Sequence, residues 1–284
     1  MIYEPNPMKP DSDNDPTELG PSSQANQSDF QTYPTRAKAF LEEEEVFAHY
    51  QIGKELGRGG MGVVYKAWDR NLARMVAIKL VLPGRLSQGK DIERFLHEAK
   101  TTAHVSHENV VKIYEVGEEP QHYFAMEYVE GSSLKSYVQN KVITAREIAF
   151  LFEKCARGLQ SIHEKGSVHR DLKPGNIMVD KSKNPKIMDF GLAKRIDVKS
   201  GLSHPGEILG TPVYMSPEQA CGDSLGPKTD IYSLGATLYE TLTRRPPFQG
   251  DSYGNVVTQI MNTDCIPPRQ LNPDIPRDLE AITL

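Results

Sequence analysis

His169-Arg170-Asp171-Leu172-Lys173-Pro174-Gly175-Asn176 brings a carboxylate, an ammonium group and an amide together within six positions, and Asp189-Phe190-Gly191 follows. Asp171 can accept a proton from an attacking hydroxyl group, and Lys173 can neutralise a phosphate. The oxygen atoms of Asn176 and Asp189 are hard ligands of the kind that Mg²⁺ prefers. A base, a metal clamp and a cation beside the moving charge are the groups that phosphoryl transfer requires.

The ordered residues H-R-D-L-K-P-G-N and the later D-F-G resemble the catalytic core of the eukaryotic-like, or Hanks-type, protein kinases. Lys-Pro after the aspartate resembles the serine/threonine class, and the segment G-T-P-V-Y-M-S-P-E at residues 210–218 resembles the bacterial form of the family. The alternative is a polar loop that matches by chance, and eight ordered positions followed by a triplet speak against it. The resemblance covers residues 50–284 and implies a non-specific serine/threonine protein kinase.

Composition is that of a globular protein, with 38% hydrophobic and 25% charged residues. A net charge of -5 gives no indication of nucleic-acid binding, and no apolar run reaches the ~18 residues that a membrane span needs. Three widely separated cysteines exclude a fully paired disulfide framework and show no zinc-site spacing. We therefore expect a cytoplasmic protein, with a membrane tether if a longer protein continues past Leu284.

Residues 1–49 are predicted to be disordered, because they are rich in proline and hold ten acidic against three basic residues. Residues 50–284 are predicted to form the kinase domain, with an N-lobe and hinge at 50–130 and a C-lobe at 131–284 whose last helices are missing. The resemblance implies an α+β fold of two lobes. The N-lobe is expected to be a five-stranded antiparallel sheet with one helix, and the C-lobe to be mainly helical.

A glycine-rich pattern, G-x-G-x-x-G, begins at Gly57. Dinucleotide-binding folds share it, but there a helix follows the glycines, with an acidic residue about 20 positions on. Here the β-branched and aromatic residues 63–68 follow, so we predict a hairpin whose backbone approaches phosphates. The next predicted strand carries Lys79, which resembles the lysine that holds the α- and β-phosphates.

The resemblance implies a full set of nucleotide-site residues. Residues 91–105 are predicted to form the N-lobe helix, in which Glu98, rather than the alternative Glu93, pairs with Lys79. Met126 corresponds to the gatekeeper, and the backbone of Glu127 and Val129 to the adenine-binding hinge. The expected ATP contacts are Leu56, Gly57, Gly59, Gly62, Val64, Ala77, Lys79, Met126, Glu127, Val129 and Met178.

The same resemblance implies the catalytic roles. Asp171 is expected to orient the acceptor hydroxyl and take its proton, and Lys173 to stabilise the γ-phosphoryl group. Asp189 and Asn176 are expected to hold Mg²⁺. With Lys79 and Glu98, these residues form the predicted catalytic set.

Residues 144–165 are predicted to form a helix that supports the catalytic stretch. Thr144 and Glu147 form a capping-box pattern at its start, and Gly166 is placed to end it. Asp230 is expected to bind the backbone of the catalytic loop.

Control by phosphorylation is expected within residues 189–218. Arg170 is predicted to bind a phosphate on this segment, with Ser203 as the first candidate acceptor and Ser200 as the second. Thr211 is expected to bond to Asp171 and Lys173. The arginine that pairs with Glu218 in the family is not found, so Glu218 is expected to lack its partner.

Three functions are compatible with a fold of this kind. The first is an Mg²⁺- and ATP-dependent protein serine/threonine kinase that autophosphorylates, with a homodimer as the arrangement for that step. The second is a non-catalytic scaffold, which normally loses a lysine or aspartate that is present here. The third is a small-molecule kinase, which usually lacks the Lys-Pro and G-T-P segments. The site residues favour the first, with ATP and protein substrates as partners.

Overall fold

The structure is a computed structural model that describes residues 46–59, 62–81, 103–189 and 212–284. The described residues lie within one compact unit, Glu43–Leu284. Its strands are β1 (Val46–Phe47), β2 (Tyr50–Gly59), β3 (Gly62–Asp69), β4 (Arg74–Val81), β5 (Ile113–Gly117), β6 (Tyr123–Glu127), β7 (Gly131–Ser133), β8 (Ile177–Asp180) and β9 (Pro185–Ile187). Its helices are α1 (Leu134–Gln139), α2 (Ala145–Glu164), α3 (Pro217–Cys221), α4 (Pro227–Thr243), α5 (Tyr253–Asn262), α6 (Pro268–Leu271) and α7 (Arg277–Thr283).

An antiparallel sheet in the order β1-β2-β3-β4-β6-β5 forms the N-lobe. Alternate residues of its strands point to opposite faces, and one face buries Tyr65, Ala67, Val76 and Ile78. The predicted antiparallel N-lobe sheet is confirmed. The predicted N-lobe helix falls mainly outside the described residues.

The sheet has six strands rather than the predicted five, because β1 adds a short edge strand. This strand lies within residues 1–49, which we predicted to be disordered. Phe47 is buried and its ring meets that of Tyr123 edge-on at 5.1 Å. The sheet therefore includes residues before Tyr50, and residues 1–45 lie outside the described ranges.

The C-lobe is mainly helical, as predicted, and its largest core surrounds α2. The predicted helix spans Ala145–Glu164, with both bonds of the Thr144–Glu147 capping box and Gly166 at φ +72° beyond its end. Its predicted buried stripe is also confirmed: Ile148, Leu151, Phe152, Cys155, Leu159 and Ile162. A hydrogen bond from Lys183 and two from Thr144 lower the pKa of Glu147 to about 2.

A small sheet, β7-β8-β9, carries the catalytic loop. The loop precedes β8, and Asp189 follows β9, so both segments emerge at one end of this sheet. Among the described helices, none is both long and apolar enough to cross a bilayer.

Candidate active site

Asp171 lies at the centre of a small polar cluster. Its Oδ2 accepts hydrogen bonds from Lys173 Nζ at 2.6 Å and from Asn176 Nδ2 at 3.0 Å. The same Asn176 amide also donates to the backbone carbonyl of Asp171 at 2.8 Å. Both donors converge on Oδ2, and Oδ1 takes no part in these two bonds. The structure thus brings together three of the residues that sequence reasoning selected.

Asp230 holds the backbone that leads to Asp171. This carboxylate is fully buried at the start of α4, where Oδ1 accepts from Arg170 N at 2.8 Å and Oδ2 from His169 N at 2.7 Å. The expected contact with the catalytic loop is confirmed. A third partner was not predicted: His163 Nε2 lies 2.7 Å from Oδ2. The sequence signal for it was a histidine in the last turn of α2, just before the loop.

His169 connects the loop that contains Asp171 with the backbone that leads to Asp189. Its ring is buried, and this burial lowers its pKa, although the charge of Asp230 acts in the opposite direction. The neutral ring donates from Nε2 to the Met188 carbonyl at 3.0 Å and accepts the Asp171 amide at Nδ1 at 3.2 Å. The backbone before Asp189 and the backbone of Asp171 are therefore fixed to the same side chain.

Lys79 of β4 forms an ion pair with Asp189, with Nζ 2.6 Å from Oδ1. The side chains are 12% and 20% exposed, so water screens the pair only in part. The predicted partner, Glu98, lies outside the described residues. Asp189 has φ +61°, a backbone conformation that is uncommon for a residue with a side chain.

An apolar cluster joins the two lobes beside these groups. Its members are Val64, Ala77, Val111, Met126, Tyr128, Val129, Met178 and Met188. Five of them, Val64, Ala77, Met126, Val129 and Met178, were predicted to contact ATP. Tyr128, Val111 and Met188 were not, and neither Val111 nor Met188 belongs to a local motif. Leu56 lies at an irregular position of β2, is 45% exposed and lies outside this cluster.

The backbone at the hinge offers one amide that could donate to a purine. The amide of Glu127 donates to Lys112 O at 2.9 Å and so continues the pairing of β5 with β6. Among the described residues, no backbone carbonyl accepts from the amide of Val129. This amide is therefore the group suited to bind adenine, whereas the side chain of Glu127 forms an ion pair with Lys186 at 2.9 Å.

The glycines of the hairpin differ in their surroundings. A Cβ atom on Gly57 or Gly59 would meet nothing within 4 Å, so the backbone there has an open face. A Cβ atom on Gly62 would lie 2.2 Å from the backbone oxygen of Leu80. The first two glycines thus suit a backbone that approaches phosphates, while Gly62 is required by the packing of β3 against β4.

The oxygen atoms at the site fit Mg²⁺. Asn176 donates from Nδ2, and Lys79 bonds to Oδ1 of Asp189, so Asn176 Oδ1 and Asp189 Oδ2 are the hard oxygen atoms outside these bonds. No cluster of three or more His, Cys, Asp or Glu side chains that could hold a metal occurs in the described part of the chain. Magnesium commonly takes one or two protein ligands and completes its shell with phosphates and water, which matches this set.

Glu218 differs from the expectation of an unpaired carboxylate. Burial opposes its ionisation, but a hydrogen bond from Thr229 Oγ1 at 2.7 Å and the charge of Lys228 outweigh it, so its pKa is lowered. A hydroxyl group thus provides the partner in place of an arginine. Two of the predicted regulatory residues, Ser203 and Thr211, lie outside the described residues.

Comparisons with known proteins agree with this geometry. Residues 50–280 match the protein kinase domain family. The chain is 38% identical over 242 residues to the serine/threonine-protein kinase PknB of Mycobacterium leprae, and 37% identical over 243 residues to the serine/threonine-protein kinase PrkC of Bacillus subtilis. The alignments cover 83% and 85% of this chain but only 39% and 37% of those proteins. The chain therefore belongs to the protein kinase domain family, with bacterial serine/threonine kinases as its relatives.

Proposed function

We propose that this chain is a serine/threonine protein kinase that transfers the γ-phosphoryl group of ATP to protein hydroxyl groups. The observation that carries the proposal is the convergence of Lys173 and Asn176 on one oxygen of Asp171, beside the Lys79–Asp189 pair. Because the chain spans about two fifths of the curated relatives that it matches, the activity named for them is a proposal here.

The chemistry follows from the positions of these residues. Oδ1 of Asp171 accepts the proton of the serine or threonine hydroxyl, whose oxygen forms a bond to the γ-phosphorus as the bond to the β–γ bridging oxygen breaks. ADP is the leaving group. Lys173 lies beside the base and stabilises negative charge on the moving phosphoryl group. Positioning and charge stabilisation account for most of such catalysis.

Nucleotide binding is assigned to both lobes. The apolar cluster encloses adenine, the Val129 amide donates to it, and Gly57 and Gly59 leave room for phosphates. Lys79 exchanges part of its pairing with Asp189 for the α- and β-phosphates. Asn176 and Asp189 would hold Mg²⁺, which neutralises charge on the phosphates when bound.

We also propose that phosphorylation regulates this chain. We expect phosphorylation of Ser203, with Arg170 as the group that binds the phosphate and Thr211 as a contact to the catalytic loop. A homodimer would let one copy act on another. The three free cysteines are consistent with a cytoplasmic setting for this part of the protein.

Transfer of ³²P from [γ-³²P]ATP to a generic basic protein, and to the chain itself, tests the proposal. We expect labelling that requires Mg²⁺ and that falls at least ~10²-fold in Asp171→Asn, since a general base contributes roughly 10²–10⁴-fold. Asp251→Asn, an exposed position, is the matched control. Equal labelling by Asp171→Asn and the wild type contradicts the assigned base. Ser203→Ala, run in the same assay, tests the proposed phosphorylation site.

A further inference from the structure

Gln219, in the short helix α3, links the catalytic loop to the segment that begins at residue 212. Its side-chain Oε1 accepts a hydrogen bond from the backbone amide of Ser216 at 3.0 Å. The backbone amide of Gln219 donates to Ser216 Oγ at 3.4 Å. These two bonds form the capping box of α3. Its Nε2 donates in another direction, to the backbone carbonyl of Arg170 at 2.8 Å. The Gln219 side chain therefore accepts a hydrogen bond from Ser216 through Oε1 and donates one to the catalytic loop through Nε2.

The carbonyl that Gln219 binds belongs to the peptide unit between Arg170 and Asp171. The amide of that same unit donates to His169 Nδ1 at 3.2 Å. Gln219 and His169 thus hold the two ends of one peptide plane. Arg170 has φ +67°, a conformation that neighbouring contacts must maintain. Rotation of this plane would change the direction of the Asp171 side chain.

We propose that Gln219 is a positioning residue for the reaction: it fixes the peptide plane before Asp171 and couples it to the backbone of Ser216. The proposal rests on the proposed function, in which Asp171 is the base. Gln219 does not contact the reacting atoms, and it acts through the orientation of Asp171. A shift of Ser216 in response to substrate or to modification nearby is therefore transmitted to the base through a single side chain.

Gln219→Glu separates the bond that caps α3 from the bond to the Arg170 carbonyl. Glutamate keeps the acceptor that caps α3 and is itself a preferred capping-box residue, so helix α3 is retained. The donor to Arg170 O is lost, and an ionised carboxylate faces a carbonyl oxygen. We expect kcat at pH 8 to fall about tenfold, equivalent to ~1.4 kcal/mol in the barrier, with KM for ATP unchanged.

The pH profile distinguishes positioning from a loss of structure. A protonated glutamate can donate to the Arg170 carbonyl as glutamine does. The ratio of wild-type kcat to variant kcat should therefore decrease as pH falls from 8 towards 5.5. Taking this ratio cancels the pH dependence that both proteins share. A deficit of constant size across this range would overturn the proposal, as would a variant with wild-type kcat at every pH.

Two further measurements keep the inference testable. Gln259→Glu is the matched control, because Gln259 Nε2 also donates to a backbone carbonyl, that of Gln249 at 2.6 Å, away from the site. Hydrogen exchange at the Asp171 amide needs no activity, and we expect it to accelerate about tenfold in Gln219→Glu but not in Gln259→Glu. Unchanged exchange overturns the role of Gln219. An inactive wild type overturns the proposed function instead, and the exchange result still decides this inference.

Discussion

Asp230 shows how a buried charge can be kept for the geometry that it imposes. The carboxylate is enclosed by protein and accepts from His169 N, Arg170 N and His163 Nε2. Backbone hydrogen bonds to an ionised acceptor are stronger than neutral ones. The cost of removing Asp230 from water is thus offset by three donors, and the result is a fixed backbone directly before Asp171, the proposed base.

Asp230→Asn should destabilise the protein and slow the reaction. An asparagine presents one acceptor oxygen and one NH₂ group, so at least one of the two backbone amides loses its partner while it stays buried. Leaving such a donor unsatisfied costs about 1–3 kcal/mol. Urea unfolding measures this loss, and kcat should fall together with it because the loop before Asp171 loosens.

The exposed Asp251 supplies the control, since Asp251→Asn removes the same charge without a buried partner. If Asp230→Asn retained both the wild-type free energy of unfolding and the wild-type kcat, Asp230 would be dispensable as the organiser of the loop.

At the scale of elements, the β2–β3 hairpin contains glycines that are needed for different reasons. Gly57 and Gly59 have open space where a side chain would stand, which suits the approach of phosphates. Gly62 lies at the start of β3 opposite Val81, and the neighbouring Leu80 carbonyl occupies the place of its Cβ atom. The shared pattern G-x-G-x-x-G therefore combines a binding requirement with a packing requirement.

Alanine substitutions should separate these two requirements. Gly62→Ala forces β3 away from β4, and overpacking of this kind typically costs about 1–3 kcal/mol. Gly57→Ala should leave the free energy of unfolding within roughly 0.5 kcal/mol of the wild type but raise KM for ATP, since its methyl group occupies the open face. Urea unfolding and steady-state kinetics on both variants provide the comparison. Loss of stability in Gly57→Ala, or none in Gly62→Ala, would reverse the assignment.

Local patterns predicted the local elements well. Helix α2 begins and ends within one residue of the predicted positions. Its cap, apolar stripe and terminal glycine all lie within the helix or next to it, so a local pattern is enough to predict it. The polar cluster around Asp171 was likewise contained in one short motif.

Two contacts between distant parts of the sequence were not predicted, whereas the resemblance did imply the contact of Asp230 with the catalytic loop. Gln219 and Arg170 are 49 positions apart, and Lys79 and Asp189 are 110 apart. Such pairs depend on how the chain folds back, which no spacing rule encodes. Strand β1 was missed for a related reason, since a two-residue strand leaves no periodic signal and is stabilised by the distant ring of Tyr123.

Across Glu43–Leu284 as a whole, the apolar cluster lies where the two lobes meet. The apolar cluster takes Ala77 from the N-lobe sheet and Met178 from β8 of the C-lobe. Beside it, residues 109–111 pair with β9: Ile187 N donates to Asn109 O, and Val111 N donates to Ile187 O, both at 2.8 Å. A ligand in this site contacts both lobes, so its binding free energy adds to the stability of the unit.

A non-hydrolysable ATP analogue with Mg²⁺ should therefore stabilise the protein against unfolding. A ligand that binds only the folded state adds about 2.7 kcal/mol at 100 times its Kd, and the rise in Tm with analogue concentration measures it. Lys79→Met should lose most of this rise, because it removes the group proposed to hold the phosphates. Lys181→Met is the control, since the Lys181 side chain is 72% exposed and pairs with Glu130 on the surface. A Tm rise of the same size in Lys79→Met and Lys181→Met would show that Lys79 does not hold the nucleotide, and a rise that needs no Mg²⁺ would argue against a metal at Asn176 and Asp189.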